Sequence, residues 1–468
     1  MRRGIAAIAV LVGLANAGGA ARQPANALPN ILLIQADDLG YGDLSAYGQK
    51  RFATPSLDRL AREGTRFTQY YSGSTVCAPS RASLLTGKHT GHAWVRGNGG
   101  LPDGDVPLRD EEVTIAELLR ARGYRTALVG KWGVGQPGTP GMPDKQGFDE
   151  AFGFLDQRHA HRQFTDHFYR NGQRAAVDLE KDYAGDVFTR EAAAVIERDD
   201  PRPFFLYLNY TVPHAELRAP DDAMAPFRDK FPEKPFVNAK ADAVPSGSRP
   251  DTPSLGYRSQ PAPHAAFAAM ITRMDRDIGR LVDKLEARGL GRRTLILFTS
   301  DNGPHQEGGA DPAFFNSSGG LRGIKRDLYE GGIRVPMIAR WTGTVPAGRV
   351  SPSPWAHWDL LPTLVEAAGG QPPGGIDGIS MLPALRGKQQ PEHPIFYWEF
   401  HERGFQQAVR MGSWKAVRPK PGAPLELYDL EKDEHEAHDV AAAHADIVKK
   451  IEVYLQTART PSERWPGK

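Results

Sequence analysis

NILLIQADD, residues 30–38, carries four consecutive apolar side chains, Ile31 to Ile34, and stops on two adjacent carboxylates, Asp37 and Asp38. An apolar run without polar alternation fits a strand buried on both faces, as in parallel sheets covered by helices. The same texture returns at YRTALV (124–129), FFLYLN (204–209), TLILFT (294–299) and Val335 to Trp341. Helical patterns fall between these runs. Residues 111–122 carry the capping-box pair Thr114 and Glu117, with Gly123 at the stop. Residues 264–287 set Phe267, Met270, Ile271, Met274 and Ile278 at helical spacing, so the methionines read as core packing. This alternation predicts an α/β fold built on a large, mostly parallel mixed sheet flanked by helices.

Two stretches depart from the pattern. Residues 215–262 are crowded with Pro, Asp, Lys and Ser and predict a long loop or lid. From 391 to 468 short runs at Ile395–Phe400, Gln407–Val409, Ser413–Val417 and Leu425–Tyr428 predict a smaller antiparallel sheet with a closing helix near 443–456. The chain is thus divided into a large domain at 28–390 and a C-terminal subdomain at 391–468.

Composition narrows the function classes. Hydrophobic residues make up 40% and charged residues 24% of 468, an ordinary globular balance that excludes fibrous and wholly disordered classes. Lys and Arg total 58 against 56 Asp and Glu, and no basic stripe suited to nucleic acid is present. Residues 1–17 read as a secretory signal peptide. Arg2 and Arg3 precede the apolar Ile5–Leu14, and Ala15-Asn16-Ala17 offers small residues at a cleavage site. The apolar segment is shorter than the roughly 20 residues a membrane span needs. The expectation is an exported chain, periplasmic or secreted, with no span in its mature form. Exported chains usually pair their cysteines, but Cys77 is the only one. An unpaired Cys is an inert buried hydrophobe, an intermolecular link or a chemical centre.

The polar residues cluster where strands end. NILLIQ leads to Asp37-Asp38, TLILFT to Ser300-Asp301-Asn302, YRTALVG to Lys131, and FFLYLNYTVP to His214. In open α/β sheets those carboxyl ends converge on the ligand crevice. Either acidic pair alone also suits an ordinary turn. Together, Asp37, Asp38, Asp301 and Asn302 form an all-oxygen set suited to Ca²⁺ or Mg²⁺. Cys77 stands before a short helix, with Pro79 read at the first helical position and Gly87 at the stop, where free N–H groups favour an anion. Arg81 lies one turn further on, and Lys131 and Lys325 add positive charge if the fold brings them together.

These motifs resemble a known family. CAPSR at 77–81, running on to LLTG, is similar to the C-x-P-x-R signature of type I sulfatases in the alkaline phosphatase superfamily. ADDLGYGD (36–43), VGKWG (129–133), SDNG (300–303) and GGLRGIKRDLYEGGIRVP (319–336) follow in that family's order across most of residues 29–370. The resemblance implies an alkaline phosphatase-like sheet and conversion of Cys77 to formylglycine by a maturation enzyme. It implies Ca²⁺, with Mg²⁺ second, held by Asp37, Asp38, Asp301, Asn302 and the modified Cys77. Arg81 would fix the hydrated aldehyde, Lys131 and Lys325 would contact sulfate oxygens, and a protonated His214 or Lys325 would serve the leaving alcohol. The implied reaction is attack on sulfur by one diol hydroxyl, then expulsion of sulfate as the second hydroxyl collapses to the aldehyde.

One position departs from the family. Many relatives read GKWH, whereas this chain has Gly133, so the base for the second step is open. GKWGVGQPGTPG and QGFDEAFGFLDQRHAH resemble a bacterial, carbohydrate-directed subgroup. His159 and His161 are candidates for that base or for substrate contact, and Arg96 for the sugar pocket. The implied substrate is a sulfated small molecule or glycan, of galactose or N-acetylgalactosamine sulfate type, with aryl sulfates also cleaved. A phosphonate monoester or phosphodiester hydrolase of the same superfamily is the alternative, as is a non-catalytic glycan-binding protein if Cys77 stays a thiol.

Overall fold

The computed structural model describes residues 28–99, 105–179, 181–244 and 255–467; the predicted signal peptide lies outside them. Its larger sheet contains β1 (Asn30–Asp37), β2 (Thr65–Tyr71), β3 (Arg125–Lys131), β4 (Glu150–Phe154), β5 (His167–Arg170), β6 (Gln173–Ala176), β7 (Phe204–Pro213), β8 (Thr294–Ser300), β9 (Arg334–Arg340), β10 (Arg349–Ser351) and β11 (Trp355–Ala356). The spatial order is β10-β2-β9-β8-β1-β7-β3-β4-β5-β6, with β11 also on β2. The central β8, β1, β7, β3 and β4 run parallel. Strand β9 runs antiparallel between β8 and β2, and the β5–β6 hairpin closes the other edge.

Every residue of β1 is buried, as its unbroken apolar run requires. Leu32 and Ile34 face one core with Met270, Ile271 and Phe188, from the helices Pro263–Ala287 and Ala184–Glu197. Ile31 and Leu33 face the other core with Leu84, Leu119 and Leu364, from Cys77–Thr86, Ile115–Ala121 and Leu360–Ala367. Burying such a side chain on each face contributes about 1.5–3 kcal/mol, which is why the sheet needs both helical layers.

The second sheet is an antiparallel meander of β12 (Phe396–Phe400), β13 (Gln406–Met411), β14 (Trp414–Arg418) and β15 (Glu426–Asp429). The helix Ala445–Leu455 covers one side of it through Ile451 and Leu455. Its other side, through Phe396, Trp398 and Phe400, meets Tyr71, Val76 and Trp358 of the larger part. Lys415 reaches across to Glu330 at 3.0 Å.

Several boundaries differ from the sequence expectation. Thr114 is an N-cap whose side chain accepts from Glu117 N, so that helix starts at Ile115 and residues 111–113 precede it. The 204–209 strand continues to Pro213, which carries it to the site. Cys77 is the first helical residue and Val76 the extended N-cap, so Pro79 sits third rather than first. Gly87 closes that helix with φ 70°, as expected. Within 215–262 the described residues form short helices at Asp221–Met224 and Ala239–Asp242, not a featureless loop.

Candidate active site

Strand register assembles the site. Ala36 pairs with Ser300, so Asp37 and Asp301 leave adjacent strands side by side. A register shift after Gln35 pairs Asp37 with Pro213, which brings His214 beside them. Lys131 ends β3 on the far side of β7. The helix carrying Cys77 and Arg81 lies beside these strand ends.

Asp37, Asp38, Asp301, Asn302, Arg81 and Lys131 are wholly or almost wholly buried. Cys77 Sγ lies 3.6 Å from Asp37 Oδ1, and Lys131 Nζ donates to Asp37 Oδ2 at 2.7 Å. Arg81 places Nη2 2.8 Å from Asp301 Oδ2 and donates from Nη1 to the Lys131 carbonyl at 2.9 Å. Ser80 Oγ donates to the Asp301 carbonyl. Asp38 adopts φ 63°, a left-handed backbone uncommon for a non-glycine residue. Three contacts hold it there: its N–H donates to Asp301 Oδ1 (3.0 Å), Asn302 Nδ2 donates to its Oδ1 (2.6 Å), and Lys325 Nζ donates to its Oδ2 (2.9 Å).

His214 has a defined tautomer. Its Nδ1 faces the Ala215 carbonyl at 2.6 Å, which only accepts, so Nδ1 carries the hydrogen. Its Nε2 therefore accepts from Lys325 Nζ at 3.0 Å. Burial, then the Lys325 charge, push His214 well below the usual histidine range. Burial opposes the charge on Lys325, but Asp38 and neighbouring groups outweigh it and raise it well above an ordinary lysine. The proton of this pair sits on Lys325, not on His214.

The donor set fits a hard divalent cation. Ligand-capable atoms of Asp37, Asp38, Cys77 and His214 lie within 4.8 Å of one another. Asn302 Nδ2 is engaged with Asp38 and the Gly303 carbonyl, leaving Oδ1 buried without a hydrogen-bond partner. Burial and the Asp37 charge push Asp301 up to about 6. Burial also opposes ionisation of Asp37, but the charges of Lys131, Arg81 and Lys325 hold it well below the carboxylate range. The carboxylates of Asp37, Asp38 and Asp301 balance Arg81, Lys131 and Lys325, so a divalent cation would turn a neutral cluster into an anion trap. Burial raises the Cys77 thiol well above its usual value despite Lys131 and Lys325, so the unmodified side chain is a poor nucleophile.

A cleft of 390 Å³ opens over Cys77, His214 and Lys325. His161 lines it and stacks on His214 with centroids 4.3 Å apart. His159 does not line it: its ring meets Thr165 Oγ1 at 2.8 Å and His167, because the turn that exposes His161 points its neighbour inward. Arg96 is likewise outside the cleft lining. It donates to Glu399 Oε1 at 3.0 Å and to Thr460, tying the two sheets together. Sequence reasoning missed Glu307, whose Oε2 accepts from Tyr257 OH at 2.8 Å and lies 3.8 Å from both His214 and Lys325. Its place four residues after Gly303 was a usable signal. Tyr257 had none, standing in the irregular 215–262 stretch.

Comparison with known proteins agrees with this geometry. Residues 29–370 match the family model for Sulfatase, and residues 323–460 match N-sulphoglucosamine sulphohydrolase, C-terminal. N-acetylgalactosamine-6-sulfatase of Canis lupus familiaris is 32% identical over 455 residues, covering 87% of this chain and 74% of that protein. Arylsulfatase A of Homo sapiens is 32% identical over 485 residues, covering 90% and 85%. The crystal structure of Ps i-CgsB in complex with k-i-k-neocarrahexaose superposes with TM-score 0.76 at 29% identity, covering 94% of this chain and 95% of that one. The chain therefore belongs to the sulfatase family, as a type I sulfatase of the alkaline phosphatase superfamily and a sulfuric ester hydrolase.

Proposed function

We propose that this sulfatase removes sulfate from carbohydrate monoesters of the galactose or N-acetylgalactosamine sulfate type, and from aryl sulfates, after export from the cytoplasm. The observation that carries the reading is a lone cysteine 3.6 Å from Asp37, beside three buried cations and beneath an open polar cleft. Support for the substrate class comes from relatives named for N-acetylgalactosamine-6-sulfate and from a neighbour bound to neocarrahexaose.

Cys77 is the residue that a maturation enzyme would oxidise to formylglycine, whose hydrated form supplies both the attacking hydroxyl and the exit for sulfate. Ca²⁺, or Mg²⁺ in second place, would be held by Asp37, Asp38, Asp301, Asn302 and the modified residue 77, and would supply charge neutralisation for sulfate oxygens. Lys131 and Lys325 bring ammonium groups to the same anion, and Arg81 anchors the base of residue 77's turn. Lys325, protonated and bonded to His214 Nε2, holds the proton for the leaving alcohol, and His214 positions its ammonium group. His161, kept neutral by burial, lines the cleft and stacks on His214, which makes it the candidate to accept a proton in the second step. His159 and Arg96 take structural roles instead.

The export reading rests on residues 1–17. Among the described residues no helix is long and apolar enough to cross a membrane. The same reading divides the chain at 390/391 and treats 215–262 as a lid, since Glu216 and Tyr257 line the cleft. The test is release of sulfate from galactose 6-sulfate and 4-nitrophenyl sulfate against hydrolysis of a phosphate diester or phosphonate monoester. Faster turnover of the phosphorus esters would overturn the reading, and inactivity with both classes would favour a glycan-binding role.

A further inference from the structure

The turn that sends His161 into the cleft carries His159 away from it, to the start of the β5–β6 hairpin. His159 N donates to Asp156 Oδ1 at 2.7 Å, which holds the turn in place. Asp166 precedes β5 and His167 opens it. The rings of His159 and His167 meet there with centroids 4.3 Å apart, both histidines being largely buried. Ligand-capable atoms of His159, Asp166 and His167 lie within 4.8 Å of one another. None of the three lines the catalytic cleft.

The donor atoms form a continuous arc. His159 Nε2 lies 2.8 Å from Thr165 Oγ1, Thr165 Oγ1 lies 3.5 Å from Asp166 Oδ1, and Asp166 Oδ1 lies 2.9 Å from His167 Nδ1. A tetrahedral zinc ion with bonds of about 2.0–2.1 Å sets its ligand atoms about 3.3 Å apart, close to these spacings. The hydrogen count at His167 points the same way. Arg174 Nη2 stands 3.0 Å from His167 Nδ1 and 3.2 Å from Asp166 Oδ2. A guanidinium only donates and a carboxylate only accepts, so no single state of Nδ1 serves both neighbours. With a hydrogen, Nδ1 suits Asp166 and opposes Arg174; without one, its lone pair faces the carboxylate oxygen. A metal cation between Nδ1 and Oδ1 satisfies both atoms, and the Arg174 side chain, 63% exposed, has solvent to turn into.

We propose that His159, Asp166 and His167 form a second metal site, for a transition-metal dication of the Zn²⁺ class, which clips the edge hairpin to the turn carrying His161. Two imidazoles and one carboxylate suit Zn²⁺ and disfavour Ca²⁺, the reverse of the oxygen-rich set at Asp37, Asp38, Asp301 and Asn302. The fourth position, beside Thr165 Oγ1, is left to water. The hairpin is where a clip has something to add. Strand β5 pairs with β4 only through Phe152 with Arg170 and Gly153 with Tyr169, and β6 forms the outer edge of the sheet. Metal binding to the folded chain alone stabilises it by mass action. The site is structural and takes no part in the chemistry at Cys77.

The experiment titrates Zn²⁺ into the full chain after chelation, with excess Ca²⁺ kept present to occupy the oxygen-rich catalytic set. Bound metal and the thermal midpoint are read together, and Co²⁺ serves as a visible-absorption probe of four-coordinate nitrogen ligation. The expected result is uptake of a single Zn²⁺ per chain with a rise in the midpoint, and visible Co²⁺ bands. His167→Gln and Asp166→Asn should each weaken Zn²⁺ binding by about ten-fold or more, since loss of an outer-shell partner alone reaches that. Asp166 is half-exposed and Asn keeps its shape, so this variant removes a ligand without emptying a core position. His92→Ala should bind as wild type does, which sets aside the other His/Asp cluster, His89, His92 and Asp377. No Zn²⁺ uptake by the Ca²⁺-loaded protein would overturn the proposal. So would uptake undiminished in both His167→Gln and Asp166→Asn, or uptake lost in His92→Ala.

Discussion

Replacing Glu399 by Gln removes one charge from a fully buried carboxylate with little change of shape. Oε1 accepts from Arg96 Nη1 at 3.0 Å and His401 Nε2 at 3.0 Å, while Oε2 accepts from Arg459 Nε at 2.8 Å and Tyr397 OH at 2.9 Å. Burial alone would raise this carboxyl, but His401, Arg459 and Arg96 outweigh it and hold it at about 2 against an ordinary 4.5. The difference, 4.5 − 2 = 2.5 pH units at about 1.36 kcal/mol each, corresponds to roughly 3 kcal/mol of folding stability. Because the folded value is the lower one, this stability is fully present above about pH 4.5 and drains away as pH falls towards 2. Glu399→Gln should therefore unfold about 3 kcal/mol more easily than wild type in urea at pH 7, with the deficit falling to about half at pH 3. Circular dichroism across the urea series reads both values. Equal deficits at the two pH values would refute the ionised joint between Arg96, Arg459 and the second sheet.

His161→Ala should lower kcat on 4-nitrophenyl sulfate by about ten-fold or more, as loss of a proton acceptor does. His159→Ala should instead lower the unfolding midpoint and leave kcat near wild type; the opposite pattern would exchange their roles. Chelation of divalent cations should reduce both sulfate release and the thermal midpoint, with Ca²⁺ restoring both more fully than Mg²⁺, as followed by calorimetry. Cys77→Ser should release at most one equivalent of alcohol and accumulate a sulfated serine, visible by mass spectrometry, because a simple ester lacks the second hydroxyl.

Much of the architecture was legible because buried parallel strands leave a one-dimensional trace. Ile31–Ile34 and Leu295–Phe298 are apolar without interruption, and the carboxylates that follow them fall side by side once β1 and β8 pair in register. Edge strands leave no such trace. Thr65–Tyr71 mixes polar and aromatic residues, and Gln173–Ala176 is largely exposed, so neither stood out. Distances along the chain hide the rest of the site. Arg96 looked like a pocket residue because it follows the Cys77 helix, yet its partners Glu399 and Thr460 lie more than three hundred residues away. His159 and His161 are equivalent in sequence, and only the turn between them sends one to Thr165 and the other to His214. Gly133 reads as a missing histidine, but the residue opposite it, Gln157, is set by strand pairing that no motif reports.

The most direct measurement is peptide mass spectrometry across residue 77 of the purified protein, made on the preparation whose sulfate release is assayed. The account predicts an aldehyde in place of the thiol, in a fraction that scales with activity. Full hydrolytic activity from protein whose Cys77 is an unmodified thiol would contradict it.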